Sequence, residues 1–154
     1  MKDLKTGDFI KIYDVFTRAF CDNAINKFEE SETKHIGLTC DGYFDYKKST
    51  DDGIDPTSEH WKDTDPVLYE KLSEYVTRYF KEISPEHPIA LDNIEDSGYL
   101  IRRYDKGSGK FEGHCDACTF KTAKRLVGII IYLNDVENGG ETEFFLQGLM
   151  CTPK

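Results

Sequence analysis

An α+β domain, with helices packed against a sheet, is the fold class this sequence predicts. Three observations carry that reading. Two segments with helical apolar spacing come early in the chain. After Pro88 the apolar period changes to that of short strands separated by Gly-containing turns. No repeat, low-complexity tract or Pro/Gly-rich linker interrupts the 154 residues, so they read as one domain long enough to bury a core.

The elements follow in order. Residues 9 to 16, F-I-K-I-Y-D-V-F, alternate well enough for a strand. Thr17 can cap a helix running to about Glu30, with Phe20, Ala24, Ile25 and Phe28 on one side. Residues 41 to 60 are rich in Gly, Asp and Ser and predict a long loop. Asp65-Pro66 is an N-cap followed by Pro at the first helical position, and Leu68, Leu72, Tyr75, Val76, Tyr79, Phe80 and Ile83 continue at helical spacing over 66 to 82. Pro85 and Pro88 end that helix. Beyond it, residues 99 to 104 predict a strand, 106 to 110 a turn, and 111 to 116 a second strand. Residues 126 to 133, L-V-G-I-I-I-Y-L, are β-branched and nearly all apolar, so they predict a buried strand. Asn138-Gly139-Gly140 marks a turn and 141 to 145 a further strand.

A net charge of −9 argues against nucleic acid or an anionic membrane as partner. The N-terminal stretch M-K-D-L-K-T-G-D-F lacks the apolar region of a signal peptide, and the longest apolar run, Leu126 to Leu133, is far too short to cross a membrane. Cysteines at 21, 40, 115, 118 and 151 form an odd, scattered set. Such a set suits reduced thiols, so the expected location is the cytoplasm.

The chemistry concentrates in F-E-G-H-C-D-A-C-T-F, residues 111 to 120. His114 and Asp116 form H-x-D, which on a strand would project to one face with Cys115 on the other. One imidazole and one carboxylate are two of the three donors of the facial triad that binds non-haem Fe(II). The ordinary alternative is a surface His beside an Asp. Cys115 and Cys118 form an overlapping C-x-x-C, but no second pair completes a zinc site, and the surrounding strands are not a thioredoxin-like setting.

Three segments in order give H-x-D a context: R-R-Y-D-K-G-S-G-K-F-E-G-H-C-D, then R-L-V-G-I-I-I-Y-L-N-D, then N-G-G-E-T-E-F with C-T-P-K after it. Over residues 99 to 154 this string resembles the prolyl 4-hydroxylase-like branch of the 2-oxoglutarate/Fe(II)-dependent dioxygenases. The resemblance implies a double-stranded β-helix, or jelly roll, supported by the N-terminal helices. It implies His114 and Asp116 as iron ligands, Tyr104 and Tyr132 in the 2-oxoglutarate pocket, and Arg125 on a peptide substrate. Ascorbate would keep the iron reduced, and the reaction would hydroxylate a C–H bond, with a prolyl residue of a peptide or protein as the substrate. Phe111 stands where peptide-acting members usually carry Tyr.

The family's third ligand is a later His, with a basic residue beyond it for the far carboxylate of 2-oxoglutarate. Only 38 residues follow Asp116 and none is His. His35, His60 and His87 precede the strand region and read as surface residues. The expectation is therefore a domain incomplete at its C-terminus, its last strands missing and inactive alone. The alternatives are a catalytically inactive peptide-binding jelly-roll fragment, or half of an enzyme whose second chain supplies the distal His.

Overall fold

The computed structural model describes residues 9–39, 42, 45–86, 94–117 and 119–154. The order of elements is α1 (Arg18–Glu30), β1 (His35–Ile36), β2 (Lys47–Lys48), β3 (Thr50–Ile54), α2 (Asp65–Ile83), β4 (Tyr99–Arg103), β5 (Lys110–Phe111), β6 (Thr142–Phe144) and β7 (Leu149–Cys151). The class is α+β as expected. The strands form small antiparallel sheets, one of order β1-β3-β4, one pairing β2 with β5, and one pairing β6 with β7. Among the described residues no sheet closes into a barrel.

Both helices form where the sequence places them. The Thr17 side chain accepts from the Phe20 N–H at 3.3 Å and so starts α1, which buries Cys21, Ala24 and Phe28. Helix α2 begins at Asp65, which is therefore its first helical residue and not the expected cap; Thr64 takes the cap position without a side-chain bond, and Pro66 lies in the first turn, where the missing N–H is not needed. It buries Leu68, Leu72 and Phe80 and stops before Pro85. The core joins Phe28, Ile54, Trp61, Leu68 and Leu72, with Phe16, Phe20, Tyr99, Ile101 and Ile131 packed around them.

Four expectations need correction. Residues 10 to 16 form no strand. Their segment lies along α2 instead, where the Tyr79 and Tyr75 hydroxyls donate to the carbonyls of Phe9 (2.8 Å) and Asp14 (3.1 Å), and Tyr13 donates to Glu82 (3.1 Å). Side chains of a helix thus satisfy backbone that a neighbouring strand would otherwise pair. The expected loop 41 to 60 contains β2 and β3, whose Lys47, Asp51 and Asp52 are buried because each finds a partner, while Lys48 stays exposed. The strand expected over 111 to 116 ends at Phe111; Gly113 is a bend, His114 and Cys115 have no regular structure, and a turn starts at Asp116. Residues 126 to 133 pair with no strand among the described residues, and Leu126 and Ile130 stay 72% and 61% exposed. Ile131 alone of that run reaches the core.

Candidate metal site

The site is built where β5 leaves the β2–β5 ladder. Strand β4 turns through Asp105 to Gly109, closed by the Gly109 N–H on the Asp105 carbonyl at 2.7 Å. Gly109 is required there, since a Cβ would lie 2.6 Å from the Asp105 nitrogen and 2.7 Å from the Tyr104 carbonyl carbon. The chain then pairs Phe111 with Lys47 and Lys110 with Lys48, and the Glu112 N–H extends the ladder to the Tyr46 carbonyl at 2.9 Å.

Beyond the ladder the His114 ring stacks on Phe111, centroids 3.7 Å apart and planes within 13°. Its Nδ1 lies 2.8 Å from the Glu112 carbonyl oxygen, which fixes the proton on Nδ1 and leaves Nε2 with its lone pair. Nε2 faces Asp116 Oδ1 at 3.4 Å. Two donors each about 2.1 Å from one cation lie roughly 3.0 to 3.4 Å apart in octahedral or tetrahedral geometry. His114 and Asp116 therefore fit two positions on one ion. They fit equally the ordinary alternative, an ion pair formed when the imidazole is protonated. The His114 and Asp116 side chains are 36% and 64% exposed, so the pair is open to solvent. The two come together beyond the end of β5, outside any paired strand.

Behind Phe111 lies a buried polar cluster that the sequence did not reveal. Lys47 is wholly buried, donating to the Leu38 carbonyl (2.8 Å) and to Asp51 Oδ2 (2.7 Å). Asp51 also accepts from Ser49 (2.6 Å) and faces Arg102 at 3.4 Å. Asp52, equally buried, accepts from Thr33 (2.7 Å) and from the Trp61 indole (3.3 Å). The Lys47 ammonium and the Arg102 guanidinium sit 5.3 Å and 5.8 Å from the centroid of Phe111, so His114 rests on a ring itself backed by cations. Within Lys47 to Gly53 no apolar residue hints in sequence that the stretch goes inside; the apolar residues that flank it are Tyr46 and Ile54.

The remaining site residues are dispersed. Tyr104 follows β4; burial pushes its phenol above the usual tyrosine range, Arg102 partly offsets this, and Asp51 adds to it. The Tyr132 hydroxyl donates to Thr142 at 2.6 Å and lies 3.3 Å from the Cys151 carbonyl, which ties it to the β6–β7 hairpin. Arg125 is exposed, and its backbone N–H donates to the Thr122 carbonyl at 3.0 Å. No contact among the described residues joins Tyr132 or Arg125 to His114. His35 Nδ1 meets the Asp51 carbonyl (2.7 Å), and His60, half-buried, meets the Lys27 carbonyl (2.7 Å), so neither ring approaches the H-x-D pair; His87 lies outside the described residues. Among the described residues no group of three or more His, Cys, Asp or Glu converges on a metal position.

Cys115, between the two donors, is disulfide-bonded, while Cys21 and Cys151 are free. Its partner lies outside the described residues, as do Cys40 and Cys118. The disulfide corrects the expectation of five reduced thiols, on which a cytoplasmic location rested. It counts against the iron reading, and the convergence of His114 and Asp116 counts for it. No helix among the described residues is long and apolar enough to cross a membrane. Comparison with protein-family models, curated proteins and solved structures yields no match.

Proposed function

We propose that this chain belongs to a 2-oxoglutarate- and Fe(II)-dependent dioxygenase of the prolyl 4-hydroxylase-like type with a jelly-roll fold. The observation that supports it best is the pair of donors, His114 Nε2 and Asp116 Oδ1, 3.4 Å apart with Nδ1 engaged on a carbonyl. His114 and Asp116 would hold the metal. Bound iron, with 2-oxoglutarate and with ascorbate to keep it reduced, would supply the O₂ chemistry that hydroxylates a C–H bond, a prolyl residue of a peptide being the substrate class. The stacked Phe111 ring orients His114, and the Glu112 carbonyl holds its tautomer. Tyr104 and Tyr132 are assigned to the cosubstrate, and Arg125 to the peptide, by resemblance alone.

Two donors bind a cation weakly, no third His, Cys, Asp or Glu joins them among the described residues, and turnover needs one more donor. The commitment of the Tyr132 hydroxyl to Thr142 favours a second reading, a peptide-binding module without turnover. The test is Co(II) or anaerobic Fe(II) titration of the chain and of His114→Ala and Asp116→Ala. Weak binding lost in both variants supports the metal site; binding that ignores both substitutions overturns it. Succinate release from 2-oxoglutarate by a form extended with a distal His then separates the enzyme from the binding module.

A further inference from the structure

Residues 126 to 133 are apolar, lie outside every helix and strand and have no strand partners among the described residues, and no backbone–backbone hydrogen bond joins them to any described residue. Such a segment is a template for adding a strand. Leu126, Ile129 and Ile130 are 72%, 48% and 61% exposed, while Ile131 packs on the core. Its flanks carry opposite charges: Lys124 and Arg125 precede it, and Asp135 and Glu137 follow it, all exposed. Among the described residues the Asp135 carboxylate has a long ion-pair contact, 3.8 Å, with Arg18, and its carbonyl accepts from the Asn134 side chain at 2.9 Å.

A segment basic at one end and acidic at the other complements a copy of itself laid antiparallel. We propose that residues 126 to 133 form a two-fold strand pairing with a second copy of this chain, centred on Ile130. In that register Ile130 opposes Ile130, Gly128 opposes Tyr132, and Ile129 opposes Ile131. Arg125 opposes Asp135 twice, once at each end. At the centre the residues that face each other are therefore apolar against apolar, and at the ends they are opposite charges. The two-fold makes the surface self-complementary, the usual basis of a homodimer. A strand of this length buries less than the roughly 800 Å² per partner of a stable interface. The β6–β7 hairpin, tied to Tyr132 through Thr142 and exposing Phe145, Leu146 and Met150, extends the apolar face. This inference does not rest on the dioxygenase reading, and it gives Arg125 to the interface in place of a peptide.

The test is sedimentation equilibrium of the full chain over a wide concentration range, with buried Trp61 fluorescence to verify that each variant is folded. The expected result is a dimer that Ile130→Lys dissociates, because two ammonium groups would meet on the axis. Asp135→Lys should weaken it by roughly ten-fold, since two cross-strand attractions become repulsions. Adding Arg125→Glu to Asp135→Lys should restore the affinity, which a merely structural effect of either change would not do. A monomer at every concentration overturns the proposal and leaves the face to a different polypeptide. So does a dimer indifferent to Asp135→Lys, or one that the charge swap fails to rescue.

Discussion

Replacing Lys47 by Met removes one half of a wholly buried ion pair while keeping an apolar stem over Phe111. Asp51, 1% exposed, would lose its 2.7 Å ammonium and keep Ser49 at 2.6 Å and Arg102 at 3.4 Å. Orphaning one member of a buried pair costs about 3–5 kcal/mol. Arg102 is 39% exposed and can move toward the carboxylate, so the lower end applies, about 3 kcal/mol. For a chain of this size that lowers Tm by about 6–12 °C. The assay is urea unfolding read from Trp61, the single tryptophan, 1% exposed beside Asp52. The midpoint should fall with the slope unchanged. Pairing Lys47→Met with Asp51→Leu removes both charges and should recover at least half of the loss. A single variant costing under about 1 kcal/mol, or a double variant no better than the single, would refute the view that this pair carries mutual compensation.

Three other outcomes are expected. Gly109→Ala and Gly113→Ala should differ: the first Cβ meets backbone at 2.6 Å and should cost about 1–3 kcal/mol, whereas the second meets at 2.9 Å the ring of Phe145, 60% exposed and free to swing, and should cost under about 1 kcal/mol by urea unfolding. Alkaline pH should destabilise the fold, because burial, followed by the Asp96 hydrogen bond, pushes the Tyr99 phenol well up and burial raises Tyr104 and Tyr79. The unfolded chain loses those protons first, so stability holds below about pH 10 and falls above it, and Tyr99→Phe should flatten the urea-midpoint profile there. Gly128→Ala places a methyl 3.4 Å from Asp116 Oδ2 and should weaken Co(II) binding several-fold with little change in unfolding midpoint; unchanged metal affinity would separate that glycine from the site.

Local physics made the helices legible. Thr17 and Asp65-Pro66 are start signals that act within one turn, and the apolar spacing of Leu68, Leu72 and Phe80 sets the buried face without help from elsewhere. The approach of the H-x-D pair was legible too: alternation predicted that His114 and Asp116 converge, and they lie 3.4 Å apart, though beyond the end of β5 and outside any paired strand. Strands were less readable because pairing is non-local. Thr50–Ile54 looks like a loop until Lys47, Ser49 and Arg102 surround Asp51. Leu126 to Leu133 has every local mark of a buried strand, yet burial depends on neighbours, and hydrophobicity alone cannot supply them. Residues 9 to 16 fail likewise, their alternation overridden by tyrosine hydroxyls of α2.

The β6–β7 hairpin contributes no side chain to the cluster of Phe28, Ile54, Trp61, Leu68 and Leu72. It is held by its own ladder, by the Tyr132 hydroxyl and by the edge of Phe145 over Gly113. Opening it exposes little that the core had buried, so its amides exchange with solvent through a local event far cheaper than global unfolding. Those of α2, by contrast, wait for the whole core to come apart. The molecule thus has two clocks, and a mutation or denaturant that advances one leaves the other nearly untouched.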